Sequence, residues 1–337
     1  MKEAYLYKRL TNRKVQCRNC PHYCVIGVGK RGVCGVRENI DGKLYALNYQ
    51  KAIASHIDPI EKKPFFHFLP GSYSMSLATV GCNLSCLNCQ NYDISQGPKP
   101  DRPVLGENLP PKEIVDITLK NKLPSISYTY TEPTVFLEYA LETMKLARKA
   151  GLKNAWASNG FISPEAAELI IPYLDAINID LKSFSDEFYR KYCGARLEPV
   201  LDTLKLMKKS GVWVEVTTLV IPTLSDDESM FEEIANFIKE ELGAETPWHV
   251  SQFCGKISWK LEYLPDTPVE TLQKAYQIGK KRGLKFVYTG NVPGLPSEDT
   301  FCPKCNSLMV DRTRYIIHRY DKKGKCSKCG ADLNFIL

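Results

Sequence analysis

Beyond residue 73 short apolar runs alternate with longer segments whose apolar residues recur every three or four positions. The runs 73–80, 125–130, 154–158, 176–181, 212–220, 248–252 and 285–288 have strand length and read as strands. Segments 111–120, 198–209 and 268–282 read as helices between them. Pro133 sits just inside another helix start. Phe136, Leu137, Ala140, Leu141 and Met144 then follow along one face, and Gly151 lies past the end. Ser163-Pro164 pairs a cap with a first-turn proline, and Ser225-Asp-Asp-Glu228 reads as a capping box ahead of Met230, Phe231, Ile234, Phe237 and Ile238. Strand–helix units in series imply a parallel sheet with right-handed crossovers, and their number suits a barrel or partial barrel. In such barrels the active residues lie at the C-terminal strand ends.

The flanks break this rhythm and are marked by cysteines. Residues 1–73 carry Cys17, Cys20, Cys24 and Cys34, with Gly27, Gly29 and Gly32 between them to permit tight turns. Four thiolates at short spacing suit a closed tetrahedral zinc site, and an auxiliary iron–sulfur cluster would use the same four; zinc is the expectation. Short strands at 44–47 and 52–57 follow. The proline-rich stretch 58–71 reads as a connector running over a surface. Residues 296–337 hold Cys302, Cys305, Cys326 and Cys329 with zinc-ribbon spacing and an expected strand at 314–320. A piece this small buries little core, so the metal supplies much of its folding energy. The resulting division is 1–73, 74–295 and 296–337.

Composition narrows the classes. A chain of 337 residues holds one barrel-sized domain plus small additions. The net charge of +7 ignores thiolates that carry metal, so it is a weak argument for a nucleic-acid partner. Lys304, Arg312, Arg314, Arg319, Lys322, Lys323, Lys325 and Lys328 crowd the tail. They read as a solvated basic face, with contact to RNA or another acidic partner as the alternative. The N-terminus lacks the apolar core of a signal peptide, and no apolar run is long enough to span a membrane. Of the 13 cysteines only Cys193 and Cys254 stand alone. Tight groups indicate metal rather than disulfides, and hence a reducing, cytoplasmic setting.

The stretch Val80-Gly-Cys-Asn-Leu-Ser-Cys-Leu-Asn-Cys-Gln-Asn91 follows the first barrel strand. Cys82, Cys86 and Cys89 are one thiolate short of the irons in a cubane cluster, so one iron is left for a small molecule. A zinc site would need a fourth ligand that the loop does not supply. Polar residues sit where the other strands end: Thr131 and Glu132, Asn159, Asp180 and Lys182, with His249 in the sixth strand.

The cysteine loop resembles that of the radical S-adenosylmethionine (SAM) superfamily. The segments Cys20-Pro-His-Tyr-Cys24, Gly32-Val-Cys34-Gly-Val-Arg37, Asp58-Pro-Ile-Glu-Lys-Lys-Pro64, Tyr130-Thr-Glu-Pro133 and Pro247-Trp-His249 extend the likeness. They resemble the radical SAM enzyme of the AmmeMemoRadiSam system, akin to pyruvate formate-lyase-activating enzymes. That resemblance implies a partial (β/α)6 barrel and a [4Fe-4S] cluster on Cys82, Cys86 and Cys89. It also implies SAM at the open iron and an electron donor of flavodoxin or ferredoxin type. The implied chemistry is reductive cleavage of SAM to a 5′-deoxyadenosyl radical that takes hydrogen from a substrate. Thr131, Glu132, Asn159, Asp180, Lys182 and His249 are the expected SAM or substrate contacts, and no catalytic side chain is singled out. An activase would act on a glycine of a partner protein. Modification of RNA or a small molecule is the alternative, and a metal-bound binding module without catalysis is the rival from another class.

Overall fold

A computed structural model describes residues 1–98, 102–292, 294–313 and 315–337. Its main sheet is built from β1 (Ala54–Pro59), β2 (Tyr73–Ala78), β3 (Ser125–Tyr128), β4 (Lys153–Ser158), β5 (Ala176–Asp180), β6 (Trp213–Val220), β7 (Trp248–Gln252) and β8 (Val287–Gly290). These eight strands lie side by side in chain order, and the first and last do not pair. From β2 onward all neighbours are parallel, while β1 pairs with β2 antiparallel.

Sequential order with right-handed crossovers puts the connecting helices on one face. They include α1 (Pro111–Lys120), α2 (Leu137–Lys149), α3 (Pro164–Ile170), α4 (Glu198–Lys209), α5 (Glu228–Phe237) and α6 (Val269–Arg282). Side chains alternate between the two faces along each strand. Register aligns Tyr128, Trp156, Ile177, Val214 and, one step on, Val216 with Trp248. This apolar row faces the helices: a Cβ on Gly279 of α6 would stand 3.0 Å from the Trp248 ring. The opposite face carries Ser76, Ser127, Ala155, Asn178, Glu215 and Thr217, small or polar and nearly all closed to solvent.

Small inner residues leave a void that must be filled from elsewhere, and the stretch expected on the surface fills it. Ile60, Phe65 and Phe68 are fully buried against Ala155 and Ala176. The backbone N–H groups of Phe66, His67 and Phe68 donate to the Glu215 carboxylate at 2.9–3.2 Å, and Asn178 Nδ2 donates to the Pro64 carbonyl. The prolines hide this role because they interrupt any period, while the aromatic residues between them are the plug. The capping box also resolves differently. Asp227 caps α5 by accepting from Met230 N, and Ser225 Oγ instead accepts from Ile221 N.

The C-terminal piece forms a three-stranded antiparallel sheet from Thr300–Phe301, Leu308–Thr313 and Ile316–Arg319. It closes the floor of the main sheet. Buried Arg312 donates to Thr300 Oγ1, Glu298 O and Phe66 O and lies over the Phe66 ring. Leu69 N donates to Ile336 O, and Ile336 N to His67 O. Arg312 therefore leaves the expected basic face, on which Lys304, Lys322, Lys323, Lys325 and Lys328 are exposed. Arg314 lies outside the described residues. Among the described residues no helix is long and apolar enough to cross a membrane.

Candidate functional site

The loop after β2 is seated by backbone hydrogen bonds from three parts of the chain. Gly81 N donates to Ile94 O, Ser85 N to Cys193 O and Leu87 N to Tyr192 O. Trp259 N and Lys260 N donate back to the carbonyls of Cys89 and Leu87. The Tyr92 and Trp259 rings stack with 13° between their planes. Gly81 has φ +102°, and a Cβ there would stand 2.9 Å from the Cys34 carbonyl oxygen, so only glycine lets the two segments meet. Donors already point at the Cys82 sulfur: Leu84 N at 3.4 Å and Asn159 Nδ2 at 3.7 Å.

The strand-end residues gather around this loop with one exception. Asn159 also donates to Asn83 Oδ1 and accepts from Phe161 N, so it ties the β4 end to the cysteine loop. Glu132 is buried and accepts from Thr134 N, Thr134 Oγ1, Ser158 Oγ and Asn159 N. Burial pushes its carboxyl up against these donors. It caps the short helix Pro133–Phe136 and fixes the turn that carries Asn159. Thr131 Oγ1 donates to Thr79 O. Asp180 and Lys182 pair at 2.8 Å. Burial opposes the Lys182 charge, but Asp180 and the Cys86 and Cys193 thiols beside it raise its pKa. His249 stands apart. It is the second residue of β7, bonds Glu215 at 2.7 Å and packs edge-on against Phe66 of the plug.

Several neighbours show their partners only in the structure. Cys193 is fully buried beside Cys86, and Asn91 Nδ2 donates to the Tyr130 carbonyl. Ser95 Oγ lies 3.3 Å from the Cys89 sulfur. Tyr130 has φ +64° and bonds Asp58, which also pairs with Lys62 and the buried Lys63. The Asp58–Pro64 stretch offered charge without showing its partner.

Sulfur spacing separates the three cysteine groups. In the C-terminal group all four sulfurs lie within 4.8 Å of one another, with Cys302–Cys329 at 3.5 Å and Cys305–Cys326 at 3.6 Å. Tetrahedral zinc with sulfur at about 2.3 Å places its ligands about 3.8 Å apart, so this group fits one ion. Among the described residues no other set of three or more ligand atoms is that tight. Cys82, Cys86 and Cys89 share one loop but do not form such a set.

The family model of the Radical SAM superfamily matches residues 76–238. An uncharacterized protein of Methanocaldococcus jannaschii is 45% identical over the whole of both chains. Pyruvate formate-lyase 1-activating enzyme of Escherichia coli (strain K12) is 24% identical, across 62% of this chain and 89% of that enzyme. Streptococcus suis SuiB bound to precursor peptide SuiA superposes with a TM-score of 0.52 at 14% identity. The match covers 70% of this chain and 52% of that one, and it shows a shared fold.

Proposed function

The chain belongs to the radical SAM superfamily, and we propose that it cleaves SAM reductively to start radical chemistry on a polypeptide substrate. The observation that carries this reading is the three-cysteine loop Cys82, Cys86 and Cys89, held at a strand end beside Asn159, Asp180 and Lys182. Cys82, Cys86 and Cys89 would hold a [4Fe-4S] cluster, which would supply one electron to SAM for cleavage to methionine and a 5′-deoxyadenosyl radical able to take hydrogen from the substrate.

The protein's own part is to hold and shield. Leu84 N and Asn159 Nδ2 stabilise negative charge on the Cys82 sulfur. Lys182 sets a cation next to Cys86. Asp180, half-exposed at the mouth, and Thr131 and Asn159 are our choice for SAM contacts. Glu132 acts through them, since its oxygens are already occupied by internal donors. His249 belongs to the floor. The Phe65–Phe68 plug shuts the far end and keeps water from the inner face.

Similarity to the Escherichia coli activating enzyme supports a polypeptide substrate, and the Cys20–Cys24 and Asp58–Pro64 segments support the AmmeMemoRadiSam branch. The exposed lysines of the C-terminal piece keep RNA as the second reading. That piece docks on the floor, at the end away from the cysteine loop, which favours the polypeptide. Zinc is the proposed ion of this piece.

The test is anaerobic reconstitution with iron and sulfide, then SAM and dithionite, with 5′-deoxyadenosine as the readout. The wild-type chain is expected to make it and Cys86→Ala to make none. Undiminished product from Cys86→Ala would sink the proposal.

A further inference from the structure

We propose that a groove beside the cysteine loop receives a lysine or arginine side chain of the substrate polypeptide. The groove lies between the segment that follows β5 and the segment that runs from β6 into α5, and it holds about 370 Å³. Ligand pockets hold about 300–1,000 Å³, so it is large enough to be one. Its lining is apolar at Phe188 and Met230, both buried, and at half-buried Phe184 and Leu224. Tyr192 also lines it, and the Tyr192 carbonyl accepts from Leu87 N, between Cys86 and Cys89. Ser183, another lining residue, directly follows Lys182 in the chain. The groove therefore adjoins both the loop and the strand end that carries Asp180.

Charge selects the occupant. The acidic side chains of the two walls differ in what they pair with. On α5, Glu228 pairs with Lys274 and Glu232 with Arg282, both on α6. On the facing segment Asp186 pairs with Arg190 and Arg196. Glu187 and Glu233 line the groove and are exposed, and among the described residues neither has an ion-pair partner. Asp227 is occupied as the cap of α5, accepting from Met230 N and Ser229 Oγ. It thereby covers the helix end that would otherwise favour an anion. Lys191, a cation in the lining, lies 5.1 Å from the centre of the Tyr192 ring. Two open carboxylates across an apolar lining suit a long basic side chain. Its aliphatic stem covers the lining, and its charged head donates to the carboxylates.

Placement gives the groove a role. A basic residue held there fixes which neighbouring segment of the polypeptide reaches the mouth at Asp180 and Lys182. The groove thus sets substrate choice and register and takes no part in the chemistry. This role rests on the polypeptide reading proposed above.

The experiment measures peptide binding to the full-length reconstituted protein by fluorescence anisotropy, without SAM. The probes are two labelled peptides of equal length, one of Gly-Arg-Leu repeats and one of Gly-Glu-Leu repeats. The arginine peptide should bind in preference, and less tightly at about 200 mM salt than at about 50 mM. Glu187→Gln/Glu233→Gln should weaken it about fivefold at low salt and flatten the salt dependence. Ser229→Trp fills the groove from α5 and should weaken binding at both salt concentrations. Equal binding of the two peptides, or unchanged affinity in either variant, would overturn the proposal. 5′-Deoxyadenosine formation by the same samples is scored separately. Product with unchanged peptide binding in the variants refutes the groove alone. Peptide binding that responds as expected, without any product from the wild-type chain, upholds the groove and refutes SAM cleavage.

Discussion

Glu215 accepts five hydrogen bonds, from three plug N–H groups, the Trp213 indole and His249, and is closed to solvent. Burial alone would raise its carboxyl, but His249 and the N–H donors outweigh that and hold it at about 2. Unfolded, it takes a proton near 4.5, so its stabilisation is complete above that pH and is lost as pH falls toward 2. Burial lowers His67 to about 4 from 6.5, so the unfolded ring takes its proton first and stability already declines from pH 6.5 to 4. Denaturant midpoints measured against pH should show both declines, and Glu215→Gln should lose the lower one while starting from a weaker fold. Arg37 and Glu138 make a second test, as a closed ion pair at 2.6 Å. Glu138→Leu strands the guanidinium and should cost about 3–5 kcal/mol in chemical denaturation, whereas Arg37→Met/Glu138→Leu together should cost far less. At this scale the C-terminal four cysteines were legible from spacing alone, and the structure draws their sulfurs together. Glu132 was not, since a carboxylate before proline looks the same whether it meets a ligand or closes on Ser158. Nor was His249, whose depth along β7 decides which end of the sheet it serves.

Strands and helices were legible where one period ran unbroken. The bounds Glu198–Lys209 and Pro111–Lys120 match the expected ranges because each helix has one buried stripe and a clear stop. The exceptions are short-range competitions between chemically similar residues. Asp227 won the cap of α5 because Ser225 Oγ was already engaged with Ile221 N and Leu219 O. Asp227→Ala should therefore cost about 1 kcal/mol of stability by denaturant titration. The plug was illegible for a different reason. It is neither helix nor strand, and its aromatic residues make sense only against Ala155 and Ala176, far later in the chain. Gly81 joins two elements in the same way. Gly81→Ala should force Cys34 and Cys82 apart, read as lower iron retention after gel filtration of the reconstituted protein.

For the whole molecule, contacts tie the C-terminal piece to the connector beneath the main sheet. Ile336 pairs with the connector at His67 and Leu69, and Arg312 reaches through to Phe66. The C-terminal piece and the main sheet should therefore unfold together. Stripping the tail metal with a chelator should lower the thermal midpoint of the entire chain in one calorimetric transition. Two separate transitions would show that the tail is an independent module.

The clasp between residues 67–69 and Ile336 also sets an order in time. Synthesis runs from the N-terminus, so the cysteines of the first segment and of the loop leave the ribosome well before the residues that seal the floor. The nascent sheet stays open at its base until the final strand arrives. The buried face of the Phe65–Phe68 plug is thus among the last parts of the sheet to lose contact with water.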